Sequence, residues 1–532
     1  MITPGAPPEI FTDEECRTLA PFFTNTDKHI FALTNLPETV KGALFARYSR
    51  SAKSLRRLFL DEFAGNMTGA QAGPGPVGTE RADKLYARVF NEYGDDSVAQ
   101  LGGAHIACEY VSNVLTKALE WGRLMAYLEQ STRYVPYTDK LHGRWRYHVP
   151  AEVEGALRER YLSVMDAAFE TYASLIPGMQ AHFAARYPRS EQDSEAVHRA
   201  AIRAKALDTL RGMLPAATQS NVGLYGTGQA YEALLLRLRA HPLEEMRACG
   251  DDMLAELRKL VPAFLTRVDQ PDRGGRWSEY LAATRDATRS AASAILDGVD
   301  AEPRDEVTLS DFDPDGEIKV VASAMYAGSD LPDDQLLGIA RRMTAEQRAS
   351  ILRAYVGERG NRRHRPGRAF ERTSYRFDVL TDYGAFRDLQ RHRLLTLEWQ
   401  PLSTRHGYTE PDALREAGAL DGWNRVMDAS ADLYEAMRSA GLDAAAPYAV
   451  AMAYRVRFYM DMNAREAMHV IELRTAPQGH PAYRRVCQQM HRLIADRANH
   501  RAIAETMKYV DHSEVELERL KAERELERKR QQ

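Results

Sequence analysis

Two segments far apart in the chain carry nearly the same text. Residues 119–137 read LEWGRLMAYLEQSTRYVPY, and residues 389–411 read LQRHRLLTLEWQPLSTRHGYTEP. Both run Leu-x-x-x-Arg-Leu and then reach Ser-Thr-Arg. The second copy carries two extra residues between Arg393 and Ser403, compared with Arg123 and Ser131. A weak copy of one motif in each half constrains the chain to two copies of one domain, each of about 200–250 residues. The full 532 residues accommodate both. The acidic stretch 296–316, LDGVDAEPRDEVTLSDFDPDG, suits a solvated linker between them. The expected domains are residues 1–298, 317–510, and a charged terminal helix at 511–532.

The expected fold class is α+β and helix-rich. Apolar residues recur at three- and four-residue intervals over 104–128 and 151–183, which predicts helices there. Helical patterns return at 410–438, 463–473 and 480–506. Residues 318–325 and 373–380 read as strands, the latter through the alternation in TSYRFDVL. Residues 65–78 are rich in Gly and Pro and predict a surface loop. The tail from Ser513 has Glu beside Arg and Lys one turn apart, as a solvated or partner-binding helix does.

Composition excludes several classes of function. Seventy-one Lys and Arg stand against 75 Asp and Glu, a formal charge of -4, so the chain is not built to coat nucleic acid. Cys16, Cys108, Cys249 and Cys487 are scattered without a CxxC pair, so neither a dense disulfide framework nor a Cys-rich zinc site is expected. The expected setting is a reducing, cytoplasmic one. The N-terminal text has no basic patch followed by an apolar run, and no stretch is apolar enough to span a bilayer; no membrane partner is expected.

Three constellations carry chemistry. Arg391-His392-Arg393 is a compact cationic cluster within an apolar helical pattern, where buried charges need partners. A solvated patch is the bland alternative. Glu129-Gln130-Ser131-Thr132-Arg133-Tyr134 sets a carboxylate, a hydroxyl and a guanidinium close enough to grip a polar ring and a phosphate; a capped helix end would read the same way. Residues 463–474, NAREAMHVIELR, put Arg465, His469 and Glu472 near one helix face. His469 has no second ligand at a convincing metal spacing, so no metal is expected. The basic loop 359–368, RGNRRHRPGR, reads as an exposed loop or as a phosphate-facing lid. The cluster Arg47, Arg50, Lys53, Arg56 and Arg57 is equally ambiguous. The phosphate-loop, HExxH and GxSxG signatures are missing.

Taken together, these segments resemble the flavin-dependent thymidylate synthases. That family's signature is an RHR triplet followed by Glu-x-Ser-x-Arg-Tyr, a later Arg-x-x-Leu-Pro, and a helix reading Asn-Ala-Arg…Leu-Arg. The resemblance spans residues 30–265 and 318–506 and implies a sheet with helices in each half. The family assembles as a tetramer whose sites draw on several subunits and hold FAD beside dUMP. A fused chain then implies a homodimer that imitates the tetramer.

The two halves depart from the family in complementary ways. The first has Trp121-Gly122-Arg123 for the triplet and Gly228-Gln229-Ala230 for Asn-Ala-Arg, but keeps Glu129, Ser131, Arg133 and Arg211-Gly212-Met213-Leu214-Pro215. The second keeps Arg391-His392-Arg393, Asn463-Ala464-Arg465 and Leu473-Arg474. Its Ser403 and Arg405 follow an insertion around Trp399-Gln400-Pro401, and Asp443 stands where the Arg before Leu-Pro would be. Phe370-Glu371-Arg372 replaces the family's Phe-Glu-His.

By resemblance, Glu129, Ser131, Arg133, Arg211, Ser403 and Arg405 bind substrate, and Arg133 and Arg211 take the phosphate. Arg391, His392, Arg393, Asn463, Arg465 and His469 hold FAD. Arg474 contacts the uracil and is the expected catalytic residue. The implied reaction converts dUMP to dTMP with methylenetetrahydrofolate as carbon donor and NADPH as reductant, and requires no cysteine nucleophile. The complementary losses imply one working site type per chain. Two alternatives stay open: C5 methylation of another pyrimidine nucleotide, and a retired paralogue that binds flavin or nucleotide without turnover.

Overall fold

The computed structural model describes residues 9–48, 51–67 and 100–531. The chain divides into two compact units that interleave along the sequence. The first holds residues 1–109, 122–129 and 221–299; the second holds 110–121, 130–220 and 300–532.

The first unit carries most of a three-stranded sheet in the order β1-β3-β2, built from β1 (Gly103–Ser112), β2 (Met125–Glu129) and β3 (Gln219–Thr227). β2 runs antiparallel to β3, with Met125 opposite Gly226 and Glu129 opposite Val222. Helices Gly228–Arg239 and Glu244–Leu257 bury Leu234, Leu235, Leu238, Met253 and Leu254. Of the cations near residue 50, Arg47 pairs with Glu62, Lys53 with Asp61, and Arg57 with Glu9 and Glu15, while the buried Arg56 donates to the carbonyls of Asn25 and Lys28. Arg50 lies outside the described residues, as does most of the loop expected at 65–78.

The second unit holds a four-stranded antiparallel sheet in the order β4-β5-β7-β6, from β4 (Val307–Phe312), β5 (Ser374–Asp382), β6 (Thr396–Trp399) and β7 (Arg455–Asn463). β5 pairs with β7 along its whole length, from Ser374 opposite Asn463 to Asp382 opposite Arg455. The 32-residue helix Gly155–Arg186 packs against Glu195–Leu210 and Leu420–Ser439, burying Tyr161, Phe169 and Tyr172.

The internal repeat is visible in these elements. β1, helix Asn113–Leu119 and β2 follow the same order as β5, helix Tyr383–Leu389 and β6. Ser112 and Asp382 cap the two helices through side-chain oxygens. β3 and β7 each feed a helix, capped by Thr227 and Asn463. The caps equate Thr227 with Asn463, one residue off the alignment that sets Gly228 against it.

Several expectations are corrected. Residues 104–112 form a strand: Ala104 and Cys108 are buried four apart, a spacing that is also two steps of a strand alternation. Residues 316–326 form a helix, because Val320, Val321 and Ala322 are buried side by side against neighbouring helices, overriding their β propensity. The linker region contributes β4, whose Val307 and Leu309 are buried against β5. The terminal helix starts at Leu520 rather than Ser513, and Arg524 and Glu527 tie it to Asp193 and Ser194. Among the described residues no helix is long and apolar enough to cross a membrane.

Candidate active site

The second unit gathers residues expected to be functional from both halves of the sequence. Two strand-to-helix junctions place them. After β5, helix Tyr383–Leu389 ends at the turn that carries Arg391, His392 and Arg393. After β7, Asn463 caps the next helix by accepting from Glu466 N–H at 2.9 Å. That helix, Ala464–Arg474, carries Arg465, Glu466, His469 and Arg474. Ser131 and Arg133 sit on the loop after β2, and Arg211 lies at the end of helix Glu195–Leu210.

Arg133, Arg211 and Arg474 meet around two carboxylates. Arg133 is 8% exposed and forks onto Asp208, with Nε 2.8 Å from Oδ1 and Nη2 2.6 Å from Oδ2. Its Nη1 donates to the Tyr483 hydroxyl at 3.0 Å. Burial would lower its pKa, but Asp208 more than reverses this, so the guanidinium stays charged. Ser131 Oγ accepts from Arg133 N–H at 3.2 Å.

Arg211 is 4% exposed, and its Nη2 is buried without a hydrogen-bond partner. Its Nη1 lies 3.8 Å from Asp388 Oδ2, and Arg474 Nη1 lies 3.6 Å from Asp388 Oδ1. Burial would raise the Asp388 pKa; Arg474 and then Arg211 outweigh it and hold the carboxyl below its usual range. Gly384 leaves the room Arg211 uses: a Cβ there would stand 3.2 Å from Nη2. Arg211, Asp382, Trp423 and His480 help line a cavity of about 420 Å³.

A second cluster adjoins Arg474. Arg474 Nε donates to His392 Nε2 at 2.9 Å, and Arg365 Nη2 donates to His469 Nδ1 at 2.9 Å. His392 Nδ1 is 3.8 Å from Glu466 Oε1, and both side chains are 5% exposed. Burial, then Arg474, drives His392 well below its usual pKa; burial, then Arg365, takes His469 down to about 4. Burial pushes Glu466 up to about 7 against the pull of Arg365, Arg465 and Arg393.

His392, Glu466 and His469 are close enough to suggest a metal site, which spacing along the sequence did not reveal. Their chemistry does not suit one. The arginines occupy one lone pair on each neutral ring, so the ring nitrogens left to face Glu466 carry protons. The trio is a carboxyl between N–H donors, set among guanidiniums. That donor set suits an anionic, carbonyl-bearing ligand.

The remaining expected residues are placed as follows. Arg391 Nε lies 4.0 Å from the buried carboxylate of Glu120, which Lys117 also pairs at 2.6 Å. Arg393 is exposed. Arg465 donates to Pro366 O at 2.9 Å. Ser403 is buried and Arg405 exposed on the segment after β6. Glu129 is buried in the first unit at the end of β2. In the basic loop, Arg359 is fully buried on Glu472, with both Nη atoms at 2.6 Å, while Arg365 reaches His469.

Sequence reasoning missed Asp208 and Asp388, gave Glu466 no role within its motif, and offered Arg365 only as one cation of the basic loop. Asp388 stands three residues before the triplet and Glu466 directly follows Asn-Ala-Arg, so proximity was the available signal. Trp121, where the first half lacks its triplet, donates from Nε1 to Leu397 O at 3.0 Å and meets Trp399 edge-on at 6.1 Å.

A family model described as Thymidylate synthase complementing protein matches residues 43–263 and 308–498. A UPF0159 protein of Chlamydia muridarum is 38% identical over 522 residues, covering 96% of this chain and 98% of its own. A UPF0159 protein of Thermoplasma acidophilum is 29% identical over 510 residues, covering 91% and 97%. A protein of Mycobacterium marinum named flavin-dependent thymidylate synthase is 28% identical over 207 residues, 38% of this chain and 76% of its own.

Proposed function

The chain belongs to the thymidylate synthase complementing protein family, and from that premise we propose that it is a flavin-dependent methylase acting at C5 of a pyrimidine nucleotide. The specific reaction is dUMP to dTMP, with methylenetetrahydrofolate supplying the carbon and NADPH the reducing electrons. The name of the mycobacterial relative supports this reading. The observation that carries it is the meeting of Arg133 and Arg211, from the first half, with Arg474 and His392, from the second, around Asp388.

Arg133, Arg211 and Arg474 bind the nucleotide. Arg133 is held rigid by Asp208 and Tyr483, so little rotamer freedom is lost when it grips an anion. Arg211 offers a buried Nη2 donor with no partner of its own. Arg474, whose direction Asp388 and His392 fix, is assigned the stabilisation of negative charge that develops on the pyrimidine ring. Arg365, Arg393 and Arg465 supply positive charge for the dinucleotide, and His392 and His469, both neutral, supply hydrogen bonds. Flavin, when bound, supplies the hydride chemistry that no side chain can.

The site type occurs once per chain, and a homodimer is the expected assembly. A second reading, methylation of a different pyrimidine nucleotide, is favoured by the insertion around Trp399-Gln400-Pro401 beside the expected nucleotide loop. The test is release of tritium from dUMP labelled at C5, in the presence of FAD, NADPH and methylenetetrahydrofolate. Release that depends on all three supports the proposal. A chain that binds FAD and dUMP without release is the retired paralogue.

A further inference from the structure

We propose that helix Arg276–Leu296 is an interaction surface for a second copy of this chain, which lays the same helix antiparallel along it. This does not rest on the methylase reading: the helix lies in the first unit, in the gap between the two segments that the family model matches. It is fastened from one side. Ser278 Oγ donates to Leu236 O at 3.3 Å and Arg285 Nη1 to Ala240 O at 2.7 Å, and none of its 21 residues is buried. Trp277, Tyr280 and Ile295 are 53%, 63% and 77% exposed. So much exposed apolar surface on one element marks an interaction face.

Spacing and side-chain size identify the occupant. Trp277, Tyr280, Thr284, Ala287, Ala291 and Ala294 alternate three and four residues apart and are all exposed, which is the seam of a two-stranded coiled coil. The seam is large at one end and small at the other. Parallel pairing would set the two Trp277 side chains against each other and leave gaps along the alanines. Antiparallel pairing about a two-fold axis between residues 285 and 286 sets Trp277 over the partner's Ala294, Tyr280 over the partner's Ala291 and Thr284 over the partner's Ala287. Along one flank, Leu281 then meets the partner's Ile295.

Charge selects the same register. Arg276 sits at the N-terminal end of the helix, where the helix dipole disfavours a cation, and Asp297 sits just past the C-terminal end, where it disfavours an anion. Neither forms an ion pair with any of the described residues. Both flank the seam on one side, Arg276 one residue before Trp277 and Asp297 three after Ala294. The antiparallel register therefore brings Arg276 beside the partner's Asp297 at both ends of the pair and relieves both mismatches. In a parallel pair Arg276 would meet the partner's Leu281, and no opposite charges would face each other. The helix face is complementary to itself, so its occupant is a second copy.

The experiment is sedimentation equilibrium of the full chain, which reads association independently of flavin and turnover. The wild type should carry the mass of two chains at micromolar concentration. Trp277→Glu should raise the dissociation constant by about tenfold or more. Arg276→Asp should weaken the pair as well, and Arg276→Asp combined with Asp297→Arg should restore it, because antiparallel pairing sets those two positions against each other. Trp277 and Arg276 are exposed, so neither substitution removes a core contact. A chain that stays monomeric throughout the micromolar range overturns the proposal and leaves the face to an unrelated partner. A dimer that Trp277→Glu leaves intact forms through another surface and overturns it too. A double charge variant that associates no more tightly than Arg276→Asp alone overturns the antiparallel register. Dimerisation as expected in a chain without turnover would count against the methylase reading alone.

Discussion

Arg474 is bound on two sides, to Asp388 through Nη1 and to His392 through Nε, and its guanidinium lies 5.5 Å from the Tyr483 ring centre. Removing it should abolish tritium release and weaken dUMP binding by about 10- to 150-fold, the loss of one charge-assisted contact worth roughly 1.5–3 kcal/mol. Unchanged turnover in Arg474→Ala would take the residue out of the mechanism. Glu466 allows a pH prediction. Its folded pKa is raised to about 7, so it is neutral below that value and adds a negative charge to the cofactor cluster above it. His469, down at about 4, stays neutral through the same window. Affinity for FAD, an anion, should therefore fall as pH rises through 7, and Glu466→Gln should flatten that dependence; titrations of FAD from pH 6 to 8.5 check it. Arg391, His392, Arg393, Arg465 and His469 stand out in the sequence because each sits in a motif. Asp388 and Glu466 do not, because a carboxylate beside arginines reads as an ordinary ion pair until its burial is known.

At the scale of elements, the strand-to-helix junction is what positions the chemistry. Asn463 ends β7 and caps the helix, so the first turn projects Arg465 and Glu466, and a later turn His469. The basic loop is anchored to the same helix by Arg359 and Glu472, both side chains 1% exposed. Breaking a buried pair leaves an uncompensated charge and costs about 3–5 kcal/mol. Glu472→Ala should lower the denaturation midpoint accordingly and weaken FAD binding as Arg365 loses its support. Arg465→Ala makes the contrast: its partners are a carbonyl and, at 3.5 Å, the carboxylate of Glu371 on the partly exposed side. It should change stability by less than about 1 kcal/mol while weakening FAD binding. Equal loss of stability in both variants would mean that Arg465 is structural. The strand β5 was legible from its alternation, and the long helices from their period. β1 and helix Gly316–Tyr326 were not. A four-residue spacing fits both a strand and a helix, and Val-Val-Ala buried side by side shows no period.

For the molecule as a whole, the question is why a duplicated chain would hold one cofactor site type, as proposed above. The duplication itself was legible: the offset that sets Leu119 against Leu389 also sets Ser112 against Asp382, the two helix caps. What the sequence concealed is how the losses are accommodated. Trp121 stands at the position of Arg391 and is fixed by Leu397 O and Trp399, so its side chain is committed to packing. Gln229, equated with Arg465 by the caps, brings no charge. Gly228 could not regain a side chain, because a Cβ there would stand 2.6 Å from Phe264 Cβ. The first copy of the cofactor elements therefore lacks two cations and an imidazole: Trp121 stands for Arg391, Gln229 for Arg465 and Gly122 for His392. Flavin should saturate at one per chain, measured as bound flavin absorbance against protein concentration after removal of free FAD. Trp121→Arg should not raise that number, because the Gln229 position stays neutral and Trp399 loses its edge contact. A wild-type value near two would show that the first copy binds without its guanidiniums, and the division of labour between the halves would have to be abandoned.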